Sequence, residues 1–105
     1  MNKYFNKKCE YNGLKFDSLK EMRHYIYLKS LEKRGIITDL QLQTKLDFKI
    51  DGKKIFTYKP DFEYNDEFGH HYIDVKTPAT EKNAVFRLKR KLIENYYKVK
   101  IEIVM

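Results

Sequence analysis

The hydrophobic period of this chain changes three times within 105 residues, and that succession leaves few folds open. Over residues 18–34, Met22, Tyr25, Leu28 and Leu31 recur at spacings of three, the period of a helix with one apolar face. Asp17 or Ser18 can cap its start, and Lys33, Arg34 and Gly35 supply a basic last turn and a glycine stop. From Ile36 to Val75 the period drops to two. Leu40 and Leu42 alternate first, then Leu46, Phe48 and Ile50, a turn at Asp51-Gly52, and Ile55, Phe56 and Tyr58. Two more strands, 61–65 and 70–76, flank a loop of Asp66, Glu67, Phe68 and Gly69. Pro78 and Thr80 end the last of these and open a second helix over 81–97, with Val85, Leu88, Leu92 and Tyr96 as its expected apolar stripe. Alternation returns over 99–104. A helix, three or four strands, a helix and a strand predict an α/β protein with a central mixed sheet, the last strand added in parallel through a crossover. No repeat or linker interrupts the pattern, so residues 1–105 are expected to form one domain. Its first 13 residues are a basic leader, and Gly13 and Phe16 mark a short hairpin or strand before the first helix.

A chain this short buries only roughly 60–68% of the surface its unfolded form exposes. A homodimer, a metal or a bound partner would add to its stability. Lys and Arg outnumber Asp and Glu by 22 to 15, a net charge of +7 that points to an anionic partner, most simply nucleic acid. Lysine dominates the basic residues, a bias that AT-rich coding also produces. No apolar stretch approaches the roughly 18–20 residues of a membrane span, and the N-terminus lacks the apolar run of a signal peptide. Cys9 is the only cysteine, which excludes a disulfide framework and a cysteine zinc site. A reducing cytoplasm is the expected compartment. As a nucleophile Cys9 lacks an accompanying His or Asn pattern.

The charge is unevenly spread. Between Asp61 and Glu81 six acids (Asp61, Glu63, Asp66, Glu67, Asp74, Glu81) stand against Lys76 alone, whereas between Lys82 and Lys100 seven bases stand against Glu94. Taking 66–69 as the hairpin loop sets Asn65 opposite His70 and therefore Asp61 opposite Asp74. Directly opposed residues share a face with Cβ atoms about 5 Å apart, so two carboxylates there should repel. A divalent cation between them is the simplest compensation. Strand period adds Lys76 to the face of Asp74 and puts His71, Ile73 and Val75 on the other. His70 and His71, being adjacent in a strand, point to opposite faces and cannot chelate one ion together.

Glu21 lies in line with Tyr25 and Leu28 on the first helix, on its apolar side. Two readings stay open. A carboxylate on that face is costly unless paired or metal-bound. Ser18-x-x-Glu21 also spells a capping box, in which Glu21 would reach back to the Ser18 N–H.

Pro60-Asp61 followed by Asp74-Val75-Lys76 resembles the signature of the PD-(D/E)XK nuclease superfamily. The helix with Glu21 before it, and the helix and strand after it, resemble the αβββαβ restriction-endonuclease-like core, a mixed sheet flanked by helices, over residues 14–105. Gly13-x-x-Phe16-Asp17-Ser18-x-x-Glu21, Leu40-x-Leu42-Gln43 and the small size are similar to a phage-encoded family catalogued as a domain of unknown function, with relatives among Holliday-junction resolvases. The resemblance implies that Asp61 and Asp74 bind Mg²⁺ or Mn²⁺, with Glu21 helping and the Val75 carbonyl as a further ligand. Lys76 would orient or activate the attacking water. Asp61, Asp74, Lys76 and Glu21 are thus the candidate catalytic residues. An all-oxygen set suits a hard cation and not zinc. Lys82, Arg87, Lys89, Arg90 and Lys91 on the second helix are the candidate phosphate contacts, Lys89 nearest the site, and Gln43 flanks it from a neighbouring strand. Their bland counterpart is a solvated basic face.

The expected function is therefore a metal-dependent DNA endonuclease, acting on branched or structured DNA in phage recombination or packaging. It would work in the host cytoplasm, with phage or host recombination or packaging proteins as partners. The alternatives are a non-catalytic nucleic-acid-binding or regulatory protein on the same fold, and a small interaction protein whose charges are only solvated.

Overall fold

The computed structural model describes residues 8–105. The basic leader falls partly outside it. From Cys9 onward the chain forms a small hairpin of β1 (Cys9–Tyr11) and β2 (Leu14–Phe16), as Gly13 and Phe16 foretold.

Helix α1 (Leu19–Lys33) begins where Ser18 Oγ accepts the Glu21 N–H at 3.1 Å. It ends in a Schellman motif: Gly35 adopts φ 76°, its N–H donates to the Glu32 carbonyl at 3.0 Å, and the Ile36 N–H donates to Leu31 at 2.9 Å. Tyr25 and Leu28 are buried and Met22 and Leu31 pack beside them, on the stripe the periodicity predicts.

Five strands follow: β3 (Thr38–Leu42), β4 (Leu46–Ile50), β5 (Lys53–Tyr58), β6 (Phe62–Asp66) and β7 (Gly69–Val75). The short helix α2 (Pro78–Glu81), the longer α3 (Ala84–Tyr97) and β8 (Ile101–Val104) complete the order. The central sheet runs β3-β6-β7-β8, antiparallel except for the parallel β7–β8 pair that the α3 crossover makes. The protein is thus an α/β fold with a mixed sheet. In β6–β7 Asn65 pairs with His70 and Phe62 with Ile73, the register expected from sequence, although pairing extends to Asp66 and Gly69 and shortens the loop to two residues.

Three expectations need correction. First, β4 and β5 leave the central sheet and, among the described residues, pair only with each other. Asp51 and Gly52 turn them at φ 50° and 79°, the pattern of a type I′ turn. Second, the helix expected over 81–97 is two helices. Thr77 and Thr80 form a reciprocal capping box for α2, and Asn83 caps α3 by accepting the Phe86 N–H at 2.9 Å. A second cap ends one helix and starts another. Third, Val85 and Leu88 face outward on α3 and Tyr96 stays half-exposed against Phe48, while Ile93 is fully buried and Phe86 packs beside it. The buried face is disguised by Lys89, whose ammonium lies 5.4 Å from the Phe56 ring centroid, and by Arg90, 5.7 Å from that of Phe86. Their stems cover apolar surface that a polar letter hides.

Two cores result, one on each face of the sheet. Phe16, Tyr25, Leu28, Ile37, Phe62 and Ile73 join α1 to one face, and Leu46, Tyr58, Ile93 and Ile101 join α3 and the β4–β5 hairpin to the other. Each fully buried side chain such as Phe62, Leu28 or Ile93 contributes about 1.5–3 kcal/mol. The side of β6–β7 that carries Asp74 is therefore not a solvated face but lies under the second core.

Candidate active site

The site forms where β5 gives way to β6 and where β7 ends. Pro60 is buried and Gln43, at φ 51°, donates its N–H to the Asp61 carbonyl at 3.2 Å. Gln43 thus flanks the site through its backbone. Asp61 and Asp74 meet as the register requires, yet without facing each other bare. The Asp61 N–H donates to Asp74 Oδ1 at 3.1 Å, and the Val75 N–H donates to Asp61 Oδ2 at 2.8 Å. Each carboxylate is bound by backbone of the opposite strand. The Tyr58 hydroxyl donates to Asp74 Oδ2. Asp74, 1% exposed, thus has both oxygens engaged and sits below the surface. Burial first, and then the Asp74 charge, hold the Tyr58 hydroxyl far above its ordinary pKa, so it remains a donor.

Glu21 is 7% exposed and turns toward Asp61. Ser18 caps α1, but among the described residues the return bond from Glu21 to the Ser18 N–H that a capping box needs is absent. The Glu21 carboxyl instead lies beside Asp61 in the cleft that both line, a neighbour 40 residues along the chain by number. Burial, followed by the charge of Asp17, raises the Glu21 pKa against the opposing effects of Asp61 hydrogen bonding and Lys76. Burial, followed by Glu21, raises Asp61 to about 7, with Asp74 adding to the rise and the Val75 N–H and Lys76 opposing it. Two carboxyls held this close in a poorly hydrated place cannot both ionise cheaply.

Lys76 completes the group. Its N–H donates to the Val104 carbonyl at 2.9 Å, which fixes the end of β7 against β8. Its Nζ stands 4.0 Å from Asp74 Oδ1 and 4.8 Å from the Phe86 ring centroid. Lys20 donates from Nζ to the Lys76 carbonyl at 2.9 Å and ties α1 to the same point. Glu21, Asp61, Val75, Lys76 and Thr77 line a cleft of about 580 Å³ between α1 and the end of β7.

Among the described residues, no set of three or more His, Cys, Asp and Glu side chains is arranged as a metal-holding cluster. The donor chemistry at the cleft still fits a hard divalent cation. Glu21 and Asp61 are oxygen donors that repel each other, both line the cleft, and Asp61 has one oxygen outside its bond to Val75. Asp74 does not line that cleft and supports Asp61 from beneath.

The basic residues of the second helix do not form one face. Arg87 is held by Glu81, Nη2 to Oε2 at 2.7 Å. Arg90 turns inward over Phe86 with its Nε buried and, among the described residues, unpaired; Lys89 covers Phe56, and Lys82 and Lys91 are exposed. The histidines diverge as expected: His70 Nε2 meets Glu63 Oε2 at 2.6 Å, and His71 bridges Asp66 at 2.7 Å and Glu102 at 2.6 Å. The Cys9 thiol donates to the Ser18 carbonyl and packs against the first core.

Tyr58 and Lys20 escaped the sequence reading. Tyr58 sits in an alternating strand and carries no mark that separates it from core aromatics. Lys20 is one lysine among 18.

The fold and the cleft define an α/β protein with carboxyls and a lysine gathered at one end of a mixed sheet. Residues 1–105 match the family described as protein of unknown function (DUF1064), and the chain belongs to that family. No curated protein and no solved structure matches it.

Proposed function

We propose that this protein is a metal-dependent deoxyribonuclease of the PD-(D/E)XK superfamily, hydrolysing phosphodiester bonds in branched or otherwise structured DNA. One observation carries the reading. Glu21 and Asp61, from two separate elements, are held together at a cleft beside Lys76 at the cost of a raised Asp61 pKa. A protein with no use for a cation would gain from a neutral residue at either position. The order α1, β3, β6, β7, α3, β8 around one mixed sheet supports the restriction-endonuclease-like core.

Glu21 and Asp61 would hold Mg²⁺ or Mn²⁺, with the Val75 carbonyl beside them. Such an ion, when bound, polarises a phosphate and acidifies water. Asp74 and Tyr58 fix the backbone that carries Asp61. Lys76 brings a positive charge to the cleft, where it would orient the attacking water and offset charge developing on the phosphate oxygens. Linear, nicked, flapped and four-way DNA incubated with Mn²⁺ test this directly. Cleavage of at least one substrate is expected, abolished by EDTA, by Asp61→Asn and by Lys76→Ala. No cleavage of any substrate with either metal refutes it.

A second reading, a nucleic-acid-binding protein on the same fold without catalysis, is favoured by the engagement of both Asp74 oxygens by Tyr58 and the Asp61 N–H. Binding without cleavage in that panel selects it.

A further inference from the structure

The β4–β5 hairpin is rooted firmly and ends bare. At its root Phe48 and Phe56 stack at 5.1 Å, Tyr96 of α3 meets Phe48 at 5.1 Å, the Tyr97 hydroxyl donates to the Asp47 carbonyl at 2.6 Å and the Thr57 hydroxyl donates to Asp47 Oδ1 at 2.6 Å. Beyond Phe48 and Phe56 every residue from Lys49 to Ile55 is exposed. Leu46 and Phe48 belong to the second core, but the same apolar face continues outward to Ile50, which is 53% exposed. Ile55, 56% exposed, falls at a register shift that leaves Lys49 directly opposite Lys54. Like charges so placed repel.

Lysines on a lone strand pair guard against pairing with other sheets. Exposed isoleucines at the same tip do the reverse, so protection alone does not account for it. Three lysines, Lys49, Lys53 and Lys54, outnumber Asp51 on this projecting two-stranded ribbon, and each face carries an exposed isoleucine, Ile50 across from Lys53 and Ile55 at the bulge beside Lys54, a match for a polyanion with apolar surface between its charges. The major groove of duplex DNA, about 12 Å wide, admits such a ribbon and offers thymine methyl groups between two phosphate rows. At about 3.3 Å per residue, β5 carries Lys53 roughly 17 Å from Tyr58, which touches Asp74 at the candidate site.

We infer that the β4–β5 tip is a DNA-contacting arm, its lysines on phosphates and Ile50 and Ile55, one on each face, against the groove. This rests on the nucleic-acid reading of the cleft only in taking duplex DNA as the partner.

Binding of the full chain to a fluorescein-labelled linear duplex in EDTA, titrated across salt, tests it. Lys49→Ser with Lys53→Ser and Lys54→Ser should weaken binding about tenfold and lower the slope of log K against log salt by about 2–3. A charge-matched control, Lys15→Ser with Lys29→Ser and Lys33→Ser, should leave the slope near that of the unaltered protein. Ile50→Ser with Ile55→Ser should weaken binding while keeping the slope. The inference is overturned if the tip and control variants behave alike, or if the unaltered chain binds no duplex. Cleavage with Mn²⁺, measured separately, then decides the nuclease reading: tip variants that still cut at high protein concentration leave it standing, and Asp61→Asn that binds but does not cut leaves the arm standing.

Discussion

Two successive hairpins set like charges against each other and resolve the repulsion in opposite ways. In β4–β5, Lys49 opposes Lys54 at an exposed tip where water screens both. In β6–β7, Asp61 and Asp74 meet at a buried end, where backbone N–H groups, the Tyr58 hydroxyl and a raised Asp61 pKa take up the strain. Repulsion in water costs tenths of a kcal/mol, whereas repulsion out of water has to be answered bond by bond. The second hairpin therefore specifies its surroundings closely, and the first leaves its own open to solvent.

The largest expected effect tests that contrast at Asp74. Asp74→Ala strands the Tyr58 hydroxyl and the Asp61 N–H in a buried place and should destabilise the fold by about 3 kcal/mol, read from urea unfolding. Asp74→Asn, which keeps acceptors, should cost clearly less; equal losses would mean that packing rather than these bonds is what Asp74 supplies.

The second effect concerns pH and metal. Because the folded Asp61 pKa lies above its unfolded value, near the ordinary carboxylate range, its contribution to stability is fully present below that range and is lost as pH rises through about 7. The metal-free protein should therefore melt at lower temperature at pH 8 than at pH 5.5, and Asp61→Asn should flatten the difference. At pH 8, Mn²⁺ should raise the melting temperature of the unaltered chain and not that of Asp61→Asn. An unaltered protein with no shift on adding Mn²⁺ would separate the carboxyl pair from metal binding.

The smallest effect lies in the first hairpin. Lys54→Glu converts the pair opposite Lys49 into an attractive one and should stabilise the fold by about 0.2–1 kcal/mol, measurable by the same unfolding curves. A larger gain would show that the tip is strained rather than merely exposed.

Much of this was legible from residues alone. The β6–β7 register followed from counting back from a loop, because strand period is rigid and the turn is short. The Glu21–Tyr25–Leu28 stripe followed from helical period, and burial of all three bears it out. The orientation of α3 did not follow, because Lys89 and Arg90 cover Phe56 and Phe86 with aliphatic stems that the one-letter pattern counts as polar. The departure of β4–β5 from the sheet was hidden as well: alternation says that a strand forms, not which strand it joins. At the site, position was readable and partnership was not. Ser18-x-x-Glu21 spelled a cap and only the fold turned Glu21 toward Asp61, while Tyr58 gained its role from a neighbour 16 residues away.

The bond from the Lys76 N–H to the Val104 carbonyl also sets a schedule. During synthesis β7 emerges well before β8, at roughly 5–20 residues per second. Until β8 follows, its outer edge has no strand partner and Lys76 is tied only through Lys20. The edge that β8 covers is thus the last of the central sheet to be closed, and any helper that shields it would act before β8 is made.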